Sequence, residues 1–75
     1  MTGAMLRAWR ARLGLTRDDA AARLGRHPRM LGYYEQGQYD IPPAMVLACV
    51  ALELRDTLPG VYEDLCRRLT LETAS

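Results

Sequence analysis

Within the stretch Thr16 to Gly37, TRDDAAARLGRHPRMLGYYEQG, three neighbouring positions carry residue types that packing alone does not call for: Arg29, Met30 and Tyr33. An arginine near the start of a helix can donate two parallel hydrogen bonds to O6 and N7 of a guanine, which is worth roughly 1–3 kcal/mol of discrimination between bases. Met30 offers a contact to a thymine methyl or, equally, a half-exposed packing residue. Tyr33 adds a ring with a polar tip. This is the chemistry of recognition. For catalysis the chain offers little, because no set of residues converges as nucleophilic, acid–base or metal catalysis requires. The single histidine, His27, has no Cys, Asp or second His placed to work with it, so it reads as a helix cap or a neighbour of a phosphate. One histidine and two cysteines, Cys49 and Cys66, are too few for a structural zinc site. No enzyme activity, metal or cofactor is expected.

Side chains of this kind need elements to aim them. A first helix is expected from about Ala4 to Leu13, with Met5 or Leu6, Trp9 and Leu13 as its apolar stripe and Arg7, Arg10 and Arg12 off it. Gly14 suits the left-handed position after its end. Thr16 then reads as the N-cap of a second helix, with Asp19 three residues on as a capping-box partner and Leu15 placed to staple against Ala20. Asp18 and Asp19 favour the positive end of that helix. Ala20, Ala21 and Leu24 make a small, flat face that lets another helix approach closely.

Gly25 ends the second helix and a third restarts almost at once, with His27 at the N-cap and Pro28 at the first helical position. Leu31 and Tyr34 face inward; Arg29, Met30, Gly32, Tyr33 and Gln36 are left outward. Adjacent tyrosines point about 100° apart on a helix, which puts Tyr34 in the core and Tyr33 outside. Gly37 closes the element. Arg26, in the turn, is either a phosphate contact or a solvated loop residue.

After a loop stopped by Pro42 and Pro43, a fourth helix is expected to about Arg55, with Met45 or Val46, Leu47, Val50, Ala51 and Leu54 as a wide apolar face. A fifth, from about Pro59 to Leu71, carries Val61, Tyr62, Leu65 and Leu69 on one stripe, and Glu72 to Ser75 are expected to fray. No strand pattern, internal repeat or low-complexity segment is present.

Seventy-five residues with 49% hydrophobic and 25% charged residues make one globular domain near the lower size limit for an independent core. The net charge of +1 hides an asymmetry. Residues 1–39 hold seven arginines against Asp18, Asp19 and Glu35, a surplus of four positive charges. Residues 40–75 hold three arginines against six acids, a surplus of three negative charges. A basic first half suggests a face for a polyanion and an acidic second half a separate face for something else. Both cysteines fall on apolar helical faces, which predicts buried free thiols in a reducing compartment. The longest uncharged apolar run, Ile41 to Leu52, is too short for a membrane span, and the N-terminus lacks a signal-peptide pattern. A cytoplasmic, nucleoid-associated protein is the expectation.

Taken together, Arg10 with Gly14-Leu15-Thr16, Ala21, Gly25, Leu31 and the Glu35-x-Gly37 closure resemble the helix-turn-helix domain of the phage repressor and Cro (xenobiotic-response-element) family. The Ile41-Pro42-Pro43-Ala44 continuation is similar to a subgroup of small bacterial and phage-encoded regulators. The resemblance spans roughly residues 5–55. It implies an all-α, compact five-helix fold of the lambda-repressor type, a single domain over residues 1–75 with the helix-turn-helix at 16–37, and a third helix that enters the DNA major groove.

By position it further implies that Arg17 reaches a phosphate and braces the third helix, and that Arg29, Met30 and Tyr33 face base edges or the nearby backbone. Gln36, Gln38 and the backbone around Gly37 would hold phosphates of the second strand; Arg26 and His27, read from their own positions, stay open between a phosphate neighbour and, respectively, a solvated loop residue or a helix cap. Arg10 and Glu35 are implied to form a structural ion pair, Arg10 as a phosphate contact being the alternative. Where the family often has glutamine and Ser or Thr, this chain has Arg17, His27 and Pro28, so the resemblance carries over the mode of docking and not the details of base readout.

Such proteins usually bind inverted repeats as two-fold dimers. Leu58, Val61, Tyr62, Leu65 and Leu69 exceed what a fifth helix needs to cover the fourth, so part of that stripe is expected to form the dimer contact, simple core being the alternative. The function expected is a DNA-binding transcriptional regulator, an autorepressor acting by occupancy because little chain is left for an effector domain. The rival is an antitoxin or other partner-binding module whose acidic half engages a second protein.

Overall fold

The computed structural model describes the backbone of residues 1–74 and the side chains of residues 1–70. Five helices follow one another in the order α1 (Gly3–Arg12), α2 (Arg17–Leu24), α3 (Pro28–Glu35), α4 (Pro43–Thr57) and α5 (Pro59–Ala74), and no strand occurs among the described residues. The all-α, five-helix architecture expected from the sequence is therefore the one observed.

Each early helix is begun and ended by local chemistry. Thr2, not singled out in the sequence, caps α1: its Oγ1 accepts a hydrogen bond from the Met5 N–H at 3.1 Å. At α2 the capping box is complete, with Thr16 Oγ1 accepting from the Asp19 N–H at 3.1 Å and Asp19 Oδ2 accepting from the Thr16 N–H at 3.4 Å. At α3, His27 Nδ1 accepts from the Arg29 N–H at 3.1 Å, and Pro28 occupies the first turn, where its missing N–H costs nothing.

The two inner helix ends share one closure. Gly25 (φ +66°) lets the Arg26 N–H donate back to the Ala21 carbonyl at 2.9 Å, and Gly37 (φ +78°) lets the Gln38 N–H donate to the Tyr33 carbonyl at 3.0 Å. A side chain at either glycine would be forced into a left-handed conformation it resists. The 22-residue unit is thus bounded by local hydrogen bonds at both ends.

The core gathers Leu6 and Trp9 from α1, Ala20 and Ala21 from α2, Leu31 and Tyr34 from α3, and Met45 and Cys49 from α4. Leu13, Leu15, Leu24, Met30, Ile41 and Leu52 pack around it, half-buried. Trp9 Nε1 donates to the Cys49 carbonyl at 3.0 Å, which satisfies the one polar atom of the largest core side chain and pins α1 to α4. At the surface, Arg12 bonds Glu53 with its closest N···O distance at 2.6 Å and repeats that link. The alanine pair allows α2 to lie close to its neighbours.

On α1 the choice between Met5 and Leu6 falls to Leu6, which is buried while Met5 is exposed. Other side chains stand elsewhere than periodicity suggested. On α4 the buried seam is Met45 and Cys49 with Leu52 beside them, whereas Leu47 (69% exposed) and Val50 (58%) face out. A helix that is apolar over most of its circumference does not announce which arc its neighbours will cover. Gly32, expected outward, is buried. Cys66, expected buried, is exposed, because α5 packs chiefly on α4 and leaves much of its own surface uncovered. Residues Glu72 to Ala74, expected to fray, continue α5, and Ser75 lies outside the described residues. The molecule is elongated, 41 × 23 × 19 Å, consistent with a four-helix body and an α5 that extends it.

Candidate nucleic-acid interface

The outward surface of α3 begins at its N-terminus. Arg29 is exposed, Met30 and Tyr33 are half-buried, and together with His27 they line a shallow open cleft of about 310 Å³. Three of these four side chains are held in place. His27 is tied by its capping bond, and Met30 packs against the core. The Tyr33 ring stands edge-on to the ring of Tyr39, with centroids 5.9 Å apart and planes at 66°. Tyr39 lies just beyond the Gly37 turn, and sequence reasoning passed over it. An aromatic in a loop has no periodicity to mark it, and only the turn's closure brings it back alongside α3.

The other end of α3 is anchored by charge. Glu35 is buried, with its side chain 1% exposed, and it accepts two hydrogen bonds from Arg10, at 2.9 Å to Oε2 and 3.0 Å to Oε1. This bidentate geometry is the strongest form of the pair. Arg10 also reaches the Leu15 carbonyl at 3.4 Å, so one side chain links α1, the α1–α2 loop and α3.

Two further guanidinium groups approach the same carboxylate oxygen: Arg7 at 3.6 Å and Arg17 at 3.9 Å, both with half or more of their side chains in solvent. Arg17 lies across α3 above Gly32, within 3.5 Å of where a Cβ would stand. Three arginines around one glutamate leave a surplus of two positive charges beside α3. Arg7 was not among the expected site residues; it stands one turn from Arg10 on the same helix, and that spacing was the available signal.

The remaining candidates are spread around this centre. Arg26 is exposed in the α2–α3 turn. Gln36 and Gln38 are exposed and bonded to each other, Gln38 Nε2 donating to Gln36 Oε1 at 2.9 Å, so the two amides present one joined polar group past the end of α3. Leu58, Val61, Leu65 and Leu69, by contrast, are on α5 or at its start and are 42–65% exposed, with Tyr62 half-buried among them. On α4, Leu47 and Val50 are exposed apolar side chains as well.

Among the described residues no group of three or more His, Cys, Asp or Glu side chains could hold a metal ion, and no helix is long and apolar enough to cross a membrane. The buried Cys49 thiol is pushed above its ordinary pKa of 9.0, by burial first and by the nearby Glu53 charge second.

Comparison with known proteins returns one finding. A family model described as a helix-turn-helix domain matches residues 3–74, nearly the whole chain and all five helices. The comparisons with curated proteins and with solved structures return no match.

Proposed function

The chain belongs to the helix-turn-helix domain family, and from that premise we propose that it is a sequence-specific DNA-binding transcriptional regulator of the phage repressor and Cro type, which binds an inverted-repeat operator as a homodimer. The observation that carries this reading is the surface of α3: an exposed Arg29 beside an apolar cleft, on a helix whose far end is fixed by the Arg10–Glu35 pair. A base-reading helix has to be held rigidly to discriminate, and α3 is held at both ends.

In this reading Arg29, Met30 and Tyr33 read base edges from the major groove. Arg17, Arg26, His27, Gln36 and Gln38 contact phosphates, which set register and orientation without carrying sequence information. Arg7 joins them through its exposed guanidinium. The exposed Leu58, Val61, Leu65 and Leu69, spaced about one turn apart on or beside α5, support self-association, since a continuous exposed apolar stripe is the kind of surface a partner covers. A dimer bound across a promoter blocks polymerase by occupancy, and its own operon is the proposed target.

Titration of the purified protein onto DNA from its own upstream region, in a salt series beside the Arg29→Ala variant, tests the proposal. Saturable binding to a short inverted repeat, abolished or relaxed by Arg29→Ala, is the expected result. A steep salt slope without sequence preference would reduce the surface to a generic basic patch. The same exposed apolar side chains, on the acidic half of the chain, also favour a second reading, in which a different protein covers them. DNA binding that appears only when such a partner is added would support that alternative.

A further inference from the structure

We propose that the cleft lined by His27, Arg29, Met30 and Tyr33 is a receptor for the C5 methyl group of a pyrimidine, thymine or 5-methylcytosine, next to a guanine bound by Arg29, and that Tyr39 is the positioning residue that holds the receptor open. The inference rests on the reading of α3 as the base-contacting helix and adds what that helix recognises.

The argument starts from what the major groove displays. Its base edges are hydrogen-bond donors and acceptors, with one apolar group among them, the C5 methyl. A reading surface made only for hydrogen bonding would present polar side chains flat to the groove. Here the surface is instead a shallow open depression whose lining joins a thioether and an aromatic ring, Met30 and Tyr33, to the polar His27 and Arg29. At about 310 Å³ and open to solvent, the cleft exceeds a lone methyl and admits the C5–C6 edge of a pyrimidine with it.

It is also preformed. Met30 is seated on the core, His27 has its Nδ1 engaged by the Arg29 N–H, and Tyr33 is propped by the edge-on ring of Tyr39. Side chains that need no rearrangement lose little conformational freedom on binding. Tyr39 is itself 54% exposed, so covering core is a small part of its contribution; its ring contact is to Tyr33. Arg29 reaches the neighbouring base pair, where guanine O6 and N7 match its paired donors.

The test uses the full chain and a half-site obtained by selection from random duplexes. At each thymine of that site, four duplexes are compared: thymine, deoxyuridine, cytosine and 5-methylcytosine, each with its Watson–Crick partner. The expected result is one thymine per half-site, beside a guanine, where deoxyuridine weakens binding on the order of four- to tenfold and 5-methylcytosine exceeds cytosine by a similar factor. Affinity for 5-methylcytosine equal to that for thymine would assign both bases as natural targets. An intermediate affinity would assign thymine alone.

Tyr39→Ala should shrink both methyl effects by half or more while leaving the salt slope and thermal melting unchanged, and Tyr39→Phe should retain them. Deoxyuridine equal to thymine at every position, with sequence-specific binding otherwise intact, would overturn the methyl receptor alone. Methyl effects undiminished in Tyr39→Ala would remove the role given to Tyr39. Absence of any sequence preference, with Arg29→Ala matching wild type, would overturn both this inference and the reading of α3 on which it rests.

Discussion

Glu35 shows how much one side chain can settle. Its carboxylate is out of water, and Arg10, only 20% exposed, meets it with two charge-assisted hydrogen bonds. Taking one charge away leaves the other stranded in a poorly solvated place, which costs roughly 3–5 kcal/mol for a buried pair. Against a total stability of about 5–15 kcal/mol for a domain, that is a severe loss. Glu35→Gln is therefore expected to lower the urea midpoint sharply, by about 3 kcal/mol of stability, while Arg7→Gln, at an exposed position 3.6 Å away, should cost less than about 1 kcal/mol. Equal effects in chemical denaturation would mean that burial is not what makes the pair matter.

The cysteines differ for the same reason. Cys49 is fully buried with a raised pKa, and Cys66 is exposed, so alkylation followed by mass spectrometry should modify Cys66 in the native protein and Cys49 only on unfolding. A thiol with a raised folded pKa favours the folded state below its unfolded pKa and surrenders that contribution as pH rises through the folded value. Stability should thus fall from about pH 9 upward, and less so in Cys49→Ala, when melting is followed across an alkaline pH series.

At the scale of elements, the helix ends are the most local part of this fold and the crossing of α1 over α3 the least. Thr16, Asp19, Gly25, His27, Pro28 and Gly37 act through neighbours within a few residues, which is why the start and stop of α2 and α3 were legible in the chain. Gly3 belongs to the other kind. It opens α1 directly against the end of α3, and a Cβ there would run into the backbone carbonyl oxygens of Tyr34 and Glu35. Backbone atoms on a packed helix have nowhere to go. Gly3→Ala is expected to push α1 off α3 and destabilise the domain by about 1–3 kcal/mol, the scale of overpacking. In contrast, Gly60→Ala meets no atom within 4 Å and should melt as wild type does. A Gly3→Ala protein with unchanged melting temperature would show that α1 can shift without loss.

At the scale of the whole molecule, positive charge gathers beside α3, where Arg7, Arg10 and Arg17 surround Glu35, while exposed leucine and valine side chains stand on α4 and α5. In the proposed dimer two copies join through the exposed side chains of α5, and half-sites one helical turn apart, roughly 34–36 Å, are the spacing a two-fold helix-turn-helix dimer reads. Replacing Val61 and Leu65 by glutamate should convert a dimer to a monomer in sedimentation or light scattering. The helix content should stay intact, because both side chains already face solvent to 48% and 42%. Specific DNA binding should then weaken at least tenfold while half-site preference persists. A wild-type protein that sediments as a monomer at micromolar concentration would assign the exposed side chains of α5 to some other partner.

From its residues alone the chain determined its helical class, the limits of α2 and α3, the inward turn of Leu31 and Tyr34, and the candidates on the outer side of α3. These depend on capping, glycine conformation and 3.6-residue periodicity, all of which act within one or two turns. Tertiary structure decided the rest. Which arc of α4 is buried, why Leu47, Val50 and Cys66 stand in solvent, how Arg7 and Arg17 converge on one oxygen of Glu35, and how Tyr39 comes to prop Tyr33 all depend on contacts between segments the pattern leaves unplaced. An apolar side chain lowers the free energy equally well against any apolar neighbour, so periodicity names the faces that seek cover, and only the packed chain shows which of them find it.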